Sequence, residues 1–592
     1  MKFLKMFGAG LLAFVVGSFL CFFLWILILV GVAASSEKPV VVSENTVLKL
    51  DLSESIADAP TTDPFAGLNF QTMEITPQLS LLQALRAIET AKEDERIKGI
   101  YLRMNGAGTI GGVALMEELR EALLDFKQSG KFIVSYNENY SQTDYYLASV
   151  ADKIYLHPEG GMEWIGMASN VTFYKGLFDK LDVKVEIFRP TVCKYKSAVE
   201  PIFLKKMSPE NREQMQALVN SLWGTLSGAV AEARGIEPAT LKKLTDNLSV
   251  SLPEEALEHR FVDGLLYEDE MEGVFAELGV EKNKEGEYQF VTLGEYAGQM
   301  PLDTANLFGD QVAIVYAEGS ITDGEGPSSE GIFGNTLAET LAKVRKDEAV
   351  KAVVLRVNSP GGSALASDVI WREMQLLKAQ KPVVVSMGDY AASGGYYISC
   401  PADVVLSDAT TLTGSIGVFG MIPYVNEALQ KNLGITFDGV SSNANADMMG
   451  TRPLTPAQRA MIMRGVDKVY ATFTGNVAEG RNLPLDRVLE IAGGRVWSGV
   501  EAKQIGLVDG IGGLKAAIAQ AVDKAGLSED VYVKEVMEEP EGFAAVFSSL
   551  GVRIKAAVKS SQVGMLLSEY NSLDEARAHS GIQMYSPYTV EM

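Results

Sequence analysis

The chain repeats itself, and that repeat limits its folds more than any other feature. IKGIYLRMNGAGTIGG from Ile97 matches VKAVVLRVNSPGGSAL from Val350 at an offset of 253 residues, with Lys98 over Lys351 and Asn105 over Asn358. YYLASVADKIYL from Tyr145 lies over YYISCPADVVLS from Tyr396 at an offset of 251. MSPENREQM from Met207 answers LTPAQRAMI from Leu454, Phe261-Val262-Asp263-Gly264 answers Leu507-Val508-Asp509-Gly510, and VLKLDLSESI from Val47 answers VAIVYAEGSI from Val312. The order of matches is kept, so two homologous units stand in tandem. A chain of 592 residues also exceeds what one hydrophobic core supports.

Within each copy, short β-branched runs alternate with helical periodicity. Ile100-Tyr101-Leu102 and Phe132-Ile133-Val134 in the first copy, and Val353-Val354-Leu355 and Val383-Val384-Val385 in the second, are separated by segments such as ALMEELREALLDFKQ and DVIWREMQLLKAQ. That is the pattern of β-α-β units, hence of α/β domains with parallel sheets buried on both faces. The expected division is 1–45 for an N-terminal anchor, 46–300 for the first repeat and 301–592 for the second with its tail. GEYAGQMPLDTANLFGD from Gly294 reads as the linker. The tail beyond Leu527 carries no assignable motif and is expected to serve packing or subunit contact.

The first 45 residues have their own signal. From Met6 to Ser36 there is no charged residue, and the run is longer than the roughly 20 apolar residues that span a bilayer. A signal-peptide core is shorter, so an uncleaved transmembrane helix is expected, and Lys2 and Lys5 place its start in the cytoplasm. Everything after Glu37 then lies across the membrane. The net charge of −24 argues against a nucleic-acid partner. Three scattered cysteines and three histidines support neither a disulfide framework nor a metal site.

The chemistry concentrates in Lys381–Gly420. A β-branched run reaches Met387-Gly388, and Ala391-Ala392-Ser393-Gly394-Gly395 then reads as a tight turn opening a helix. Ser393 is the candidate nucleophile, although a lone A-S-G-G equally lets two elements pack closely. The repeat tests it: at the 251 offset Gln142 lies over Ser393, Thr143 over Gly394 and Asp144 over Gly395. The first copy therefore lacks the nucleophile. It carries instead TVCKYKSAVEP from Thr191, where the second copy reads SSNANADMMG with no lysine. Each half lacks what the other keeps.

A buried lysine can act as general base in place of histidine, because desolvation disfavours the ammonium and lowers its pKa. Both Lys194 and Lys196 qualify, and the residues alone do not choose between them. The turn Asn358-Ser359-Pro360-Gly361-Gly362-Ser363, followed by a helix from about Ala366, offers backbone N–H groups of Gly361 or Gly362 that with Gly394 would form an oxyanion hole. No GK[ST] follows it, so a phosphate-binding loop is disfavoured.

RVNSPGGSALAS, AASGGYYISCPAD, TLTGSIGVFG, KYKSAVEP and GRVWSGVEAKQIGLVDGIGG together resemble the bacterial signal peptide peptidase A family, or protease IV, in its long two-repeat form. The resemblance implies tandem Clp-protease/crotonase-like domains, a single-pass anchor in the inner membrane with a periplasmic body, and a homotetramer. It also implies a Ser–Lys dyad that degrades released signal peptides; no ATP is expected, since no nucleotide motif is present, and no cofactor or metal is expected. It assigns Ser393 as nucleophile and Lys196 as base, places the oxyanion hole on Gly394, Gly361 and Gly362, and gives Ser415 the task of orienting the lysine. Whether the dyad forms within one chain or between subunits stays open. Two other readings stand beside it: a crotonase-type acyl-CoA hydratase or isomerase, which a far-side location disfavours, and a membrane-anchored scaffold that presents peptides uncut.

Overall fold

The computed structural model describes residues 42–61, 78–106, 108–300, 309–448, 452–528 and 530–536, the short strands 68–69, 74–75 and 581–585, and the isolated positions 17 and 450. The apolar stretch Met6–Ser36, Gly17 apart, and the tail beyond residue 536, residues 581–585 apart, lie outside the described residues. Among those described, no helix is long and apolar enough to cross a membrane.

The first repeat builds one all-parallel sheet from β1 (Thr46–Leu50), β2 (Ile97–Leu102), β3 (Phe132–Tyr140) and β4 (Lys153–Met162). A further strand, β5 (Lys184–Phe188), leaves this sheet, and β6 (Gly264–Leu265) and β7 (Gln289–Thr292) complete it in the order β6-β4-β3-β2-β1-β7. The second repeat supplies β8 (Gln311–Glu318), β9 (Ile321–Thr322), β10 (Ile332–Phe333), β11 (Val350–Ser359), β12 (Gly361–Ser363), β13 (Val383–Ala392), β14 (Val404–Ser407) and β15 (Leu412–Gly414). It continues with β16 (Phe419–Tyr424), β17 (Val496–Ser498), β18 (Gly510–Ile511), β19 (Tyr532–Val536) and β20 (Gly581–Tyr585). Its main sheet runs β17-β15-β13-β11-β8-β19, with β14 paired to both β13 and β18. Only the β15–β17 pair in it is antiparallel.

The helices used below are α1 (Leu81–Glu93), α2 (Val113–Lys127), α3 (Pro209–Arg234), α4 (Ala364–Lys378), α5 (Gly394–Ser399), α6 (Pro456–Gly480) and α7 (Leu514–Ala525). Their starts follow local chemistry. Ser80 and Gln83 form a capping box on α1, Ser208 caps α3 from Pro209, and Thr455 with Gln458 caps α6 at the matching place in the second copy.

The duplication extends to individual hydrogen bonds. Tyr145 Oη donates to the Phe261 carbonyl at 2.7 Å, and Tyr396 Oη donates to the Leu507 carbonyl at 2.7 Å. Asp152 and Asp403 accept from the amides of Ile133, second in β3, and Val383, first in β13. Asp263 and Asp509 accept from Ile154 and Val405, and each pairs with an arginine, Arg234 or Arg481. Each of these ties a turn to the next strand, so the two copies share a frame as well as a pattern.

Three segments differ from their reading in sequence. The strand that looked finished at Met387-Gly388 continues to Ala392, because it changes partner there: its first half pairs with β14 and its second half with β15. The polar Asp389 within it faces the first repeat, where its carboxylate accepts from Gly112 and Ala114 at the start of α2. The linker begins with a helix, Leu293–Gln299, closed by a Thr292–Glu295 capping box, and residues 301–308 lie outside the described residues. The segment past Leu527 supplies β19, which pairs in parallel with β8 as β7 does with β1.

The repeats share a core. Val312, Ile314, Val354 and Val384 of the second sheet belong to the same buried cluster as Leu81, Leu85, Leu115 and Leu119 of the first repeat, with Leu514 and Ala517 of α7. A third, small sheet runs β10-β9-β12-β20-β16-β5 and joins both repeats through the antiparallel β5–β16 pair.

Candidate active site

Ser393 is the single residue between β13 and α5, and its backbone is left-handed, φ 57° and ψ −112°. That conformation strains a residue with a Cβ by about 1–3 kcal/mol and is retained where surrounding contacts over-determine it. Here Ser393 N–H donates to the Gly414 carbonyl of β15 at 2.8 Å, while its own carbonyl accepts from Tyr397. The helix after it is pinned by Tyr396 through Leu507 and by Tyr397, whose hydroxyl donates to Asp368 and accepts from Asn476. Small residues are required around it. A Cβ on Gly395 would stand 2.5 Å from the Ser359 carbonyl oxygen, and Gly361 holds φ 101°.

Lys196 comes from the first repeat, at the entry to the short turn Ser197–Val199, and is 1% exposed. Lys194 is exposed, which separates the two lysines that the residues left level. Lys196 Nζ lies 2.6 Å from Ser393 Oγ, 2.9 Å from Ser415 Oγ and 2.9 Å from the Ser415 carbonyl oxygen, all within one chain. Burial pulls its pKa down from 10.5 to about 7, with nearby Cys193 opposing slightly. Burial likewise pushes the Cys193 thiol up to about 11, so it stays neutral.

The loop that presents Lys196 is clamped by residues no motif announced. Gln214 of α3 donates to the Tyr195 carbonyl and to Ser197 Oγ, and accepts from Val496 in the second repeat. Tyr195 N–H donates to the Gly493 carbonyl, and Arg189 donates to the Lys196 carbonyl at 2.8 Å. Gly494, at φ 83°, lies so close to the lysine that a Cβ there would sit 2.6 Å from Lys196 Cβ. The position of Gln214 on a long polar helix gave no hint of this role; only the Gly493-Gly494 pair marks a close approach in sequence. Ser415 also holds a left-handed backbone, φ 50°, with its N–H bonded to the Arg495 carbonyl at 2.7 Å.

The glycine turn stands against the serine. A Cβ on Gly394 would come within 3.1 Å of Gly362 N and 3.2 Å of Gly361 Cα. Gly361 N–H is engaged by Ser359 Oγ at 3.2 Å, and Gly394, the first residue of α5, directly follows Ser393. Helix α4 begins at Ala364, and Ser363 caps it through the Ala366 amide. Among the described residues no cluster of histidine, cysteine or carboxylate side chains could hold a metal ion.

Comparison with known proteins gives the family. The model of peptidase family S49 matches residues 125–280 and 375–528, one segment in each repeat. Protease 4 of Salmonella typhi is 37% identical over 88% of this chain and 84% of its own length. Protease 4 of Haemophilus influenzae is 34% identical over 88% of this chain and 86% of its own, and the chloroplastic serine protease SPPA of Arabidopsis thaliana is 33% identical over 85% and 74%. Matched twice by the family model and at this identity along most of its length, the chain belongs to peptidase family S49 and is a serine peptidase carrying the family's domain in duplicate.

Proposed function

We propose that this serine peptidase works through a dyad of Ser393 as nucleophile and Lys196 as general base, one from each repeat, and cleaves hydrophobic peptides, released signal peptides among them. The observation that carries the reading is the set of three contacts around Lys196 Nζ. A neutral amine has two N–H donors and one lone pair. Ser415 offers a carbonyl and a hydroxyl to the two donors, which turns the lone pair toward the Ser393 hydroxyl. An amine titrating near 7 is substantially unprotonated at neutral pH, as a base must be.

In acylation, the Ser393 proton passes to Nζ as Oγ attacks the peptide carbonyl. The oxyanion is met by the Gly394 and Gly362 amides, with Gly361 shaping the turn. The resulting ammonium returns its proton to the leaving amine, and the acyl-enzyme remains. Water, deprotonated by the same amine, then attacks the ester and releases the acid, regenerating the Ser393 hydroxyl. Ser415 orients the amine throughout. No step calls on a nucleotide, cofactor or metal.

The wider reading includes a Clp-protease/crotonase kind of domain, a homotetramer, and attachment to the inner membrane through Met6–Ser36 with the body in the periplasm. The names of the relatives support the peptide class of substrate, and the apolar run supports the anchor. The decisive experiment is cleavage of a hydrophobic reporter peptide by Ser393→Ala and Lys196→Ala chains, with trapping of the acyl-enzyme by mass spectrometry. Full activity in either variant overturns the dyad. Release of a chain lacking residues 1–45 from the membrane fraction, and light scattering of the released body, test anchor and tetramer separately.

A further inference from the structure

Helix α3 belongs to the first repeat in sequence and lies on the second in space. Its Met215, Leu218 and Leu222 form a small buried cluster with Leu412 of β15 and Val496 of β17, and Ser221 Oγ meets Ser498 Oγ at 2.7 Å. Apolar burial thus seats the helix on the edge of the second sheet. Two consecutive residues of the helix then grip the same two partners, the Lys196 loop and the start of β17. On the solvent side, Glu213 accepts from Tyr195 Oη at 3.1 Å and from Arg495 Nη1 at 2.8 Å, and the Arg495 guanidinium lies over the Tyr195 and Trp497 rings. On the buried side, Gln214 is 1% exposed. Its Nε2 donates to Ser197 Oγ at 2.6 Å and to the Tyr195 carbonyl at 3.0 Å, with Asn211 Oδ1 at 3.2 Å, and its Oε1 accepts from Val496 N–H at 3.3 Å.

From Val496 the path to the candidate nucleophile is short and made of backbone. Val496 stands opposite Gly414 in the β15–β17 pair, and the Gly414 carbonyl accepts from Ser393 N–H at 2.8 Å. One residue earlier, the Arg495 carbonyl accepts from Ser415 N–H at 2.7 Å, and Ser415 supplies two of the three contacts of Lys196 Nζ. Gln214 therefore touches the loop of the amine on one side and the strand that supports the hydroxyl on the other. The duplication shows that the helix does not need an amide here for its own sake. At the 247 offset of the Met207–Leu454 match, Gln214 falls on Met461 of α6, which is 47% exposed, in the copy that has no lysine to hold.

We propose that Gln214 is a positioning residue for the peptidase reaction, holding the Lys196 loop of one repeat in register with the Ser393 turn of the other and keeping the amine dry. The proposal rests on the Ser393–Lys196 dyad for what is being positioned. A primary amide suits the task, with two donors for the acceptors on the loop and an acceptor for the Val496 N–H. A second tie, from Tyr195 N–H to the Gly493 carbonyl, fixes the loop at one point. A loop held there alone can pivot, which lengthens the Nζ–Oγ contact and lets water reach the amine. Water favours the ammonium, so the pKa that burial holds at about 7 then climbs back toward 10.5. The neighbouring charges are turned elsewhere: Arg189 to the Lys196 carbonyl, Glu200 to Ser208 and Asn211 at the start of α3, and Glu213 to Arg495. Cys193 is the titratable group that acts on the amine, and it opposes the effect of burial. Desolvation is therefore what the clamp protects.

The test compares the parent chain with Gln214→Met, which keeps the side chain's length and installs the residue type of the matching position, and with Gln216→Ala, an exposed site on the same helix. On a hydrophobic reporter peptide, Gln214→Met is expected to lower kcat about 10- to 100-fold, as for a misplacement on the order of 1 Å, with KM within about twofold. The rising limb of its pH profile should move from about 7 to higher pH by about one unit. Gln216→Ala should match the parent in kcat, KM and limb. A second measurement reads the amine without catalysis. In Ser393→Ala chains, stability in denaturant should rise between pH 7 and 10.5, because there the unfolded lysine binds a proton that the folded one has lost, and Gln214→Met should make that rise smaller. Parent values of kcat and limb in Gln214→Met overturn the proposal. So does a loss of activity that only follows the folded fraction, with the limb and the stability rise unmoved. If Lys196→Ala keeps full activity the dyad fails, and the stability arm still decides whether Gln214 keeps the amine dry.

Discussion

At the position where the second repeat carries Ser393, the first carries Gln142, and the two sites are finished in opposite ways. Ser393 is strained, and its hydroxyl faces a buried amine. Gln142 sits inside a regular helix start, with its amide oxygen accepting from Ile165 and Gly166 and its amide nitrogen donating to the Gly166 carbonyl. The side chain fills the place with hydrogen bonds that close on themselves. One copy thus keeps a strained turn beside a buried amine, and the other has become the support that brings in that amine, Lys196. The same contrast appears beneath the sheets. Arg356, fully buried, is held between Asp58 and Glu118 of the first repeat, 2.8 and 2.7 Å away. Its counterpart Arg103 pairs with Glu138 and Glu268, which are 44% and 58% exposed. Glu117 adds to the interface by accepting from the amides of Ala409 and Thr410. Duplication gave both copies the arginine; only the second uses it to bind the other copy.

The largest break in this symmetry is expected at the dyad. Ser393→Ala and Lys196→Ala should each lower kcat/KM by about 10⁴-fold or more, and the double variant by little beyond either, as for groups that act as a unit. Gln142→Ala, measured in the same assay, should leave kcat within a few-fold. The next largest effect separates the two arginines. Arg356→Ala leaves buried carboxylates without their cation and is expected to destabilise by about 3–5 kcal/mol in denaturant titration. Arg103→Ala, with solvent-exposed partners, should lose about 1 kcal/mol; equal losses would refute the assignment of Arg356 to the joint.

Smaller effects sharpen the role of the lysine. Ser415→Ala should reduce kcat about 10- to 100-fold and move the alkaline-rising limb of the pH profile, which in the parent chain climbs through about 7 as Lys196 loses its proton. The sign for stability runs the other way from an ion pair. The folded chain holds Lys196 at about 7, against 10.5 for a free lysine, so between these values the unfolded chain binds the extra proton and stability rises with pH. Lys196→Met should therefore raise Tm at pH 6 and lose that advantage above pH 10.5. A uniform shift across that range would mean that the lysine is buried for packing alone.

The sequence by itself determined a good deal. The spacing of matched blocks showed two copies, the β-branched runs between amphipathic segments pointed to parallel α/β sheets, and Ser393 in one copy set against the lysines Lys194 and Lys196 of the other raised the expectation that the chemistry is divided between them. These are legible because periodicity and backbone-imposed residue types, such as Gly361 or Gly395, are written locally. Contacts across the repeats were not. That Lys196 rather than Lys194 is buried depends on Gln214, Gly494 and Val496, which reach the loop from far along the chain. That β13 continues past Gly388 depends on β15 and α2 receiving it, and that residues 532–536 and 581–585 are strands depends on the edges waiting for them. Tertiary structure decided these points, because desolvation of an amine and the pairing of a strand edge are set by neighbours that the local sequence does not name.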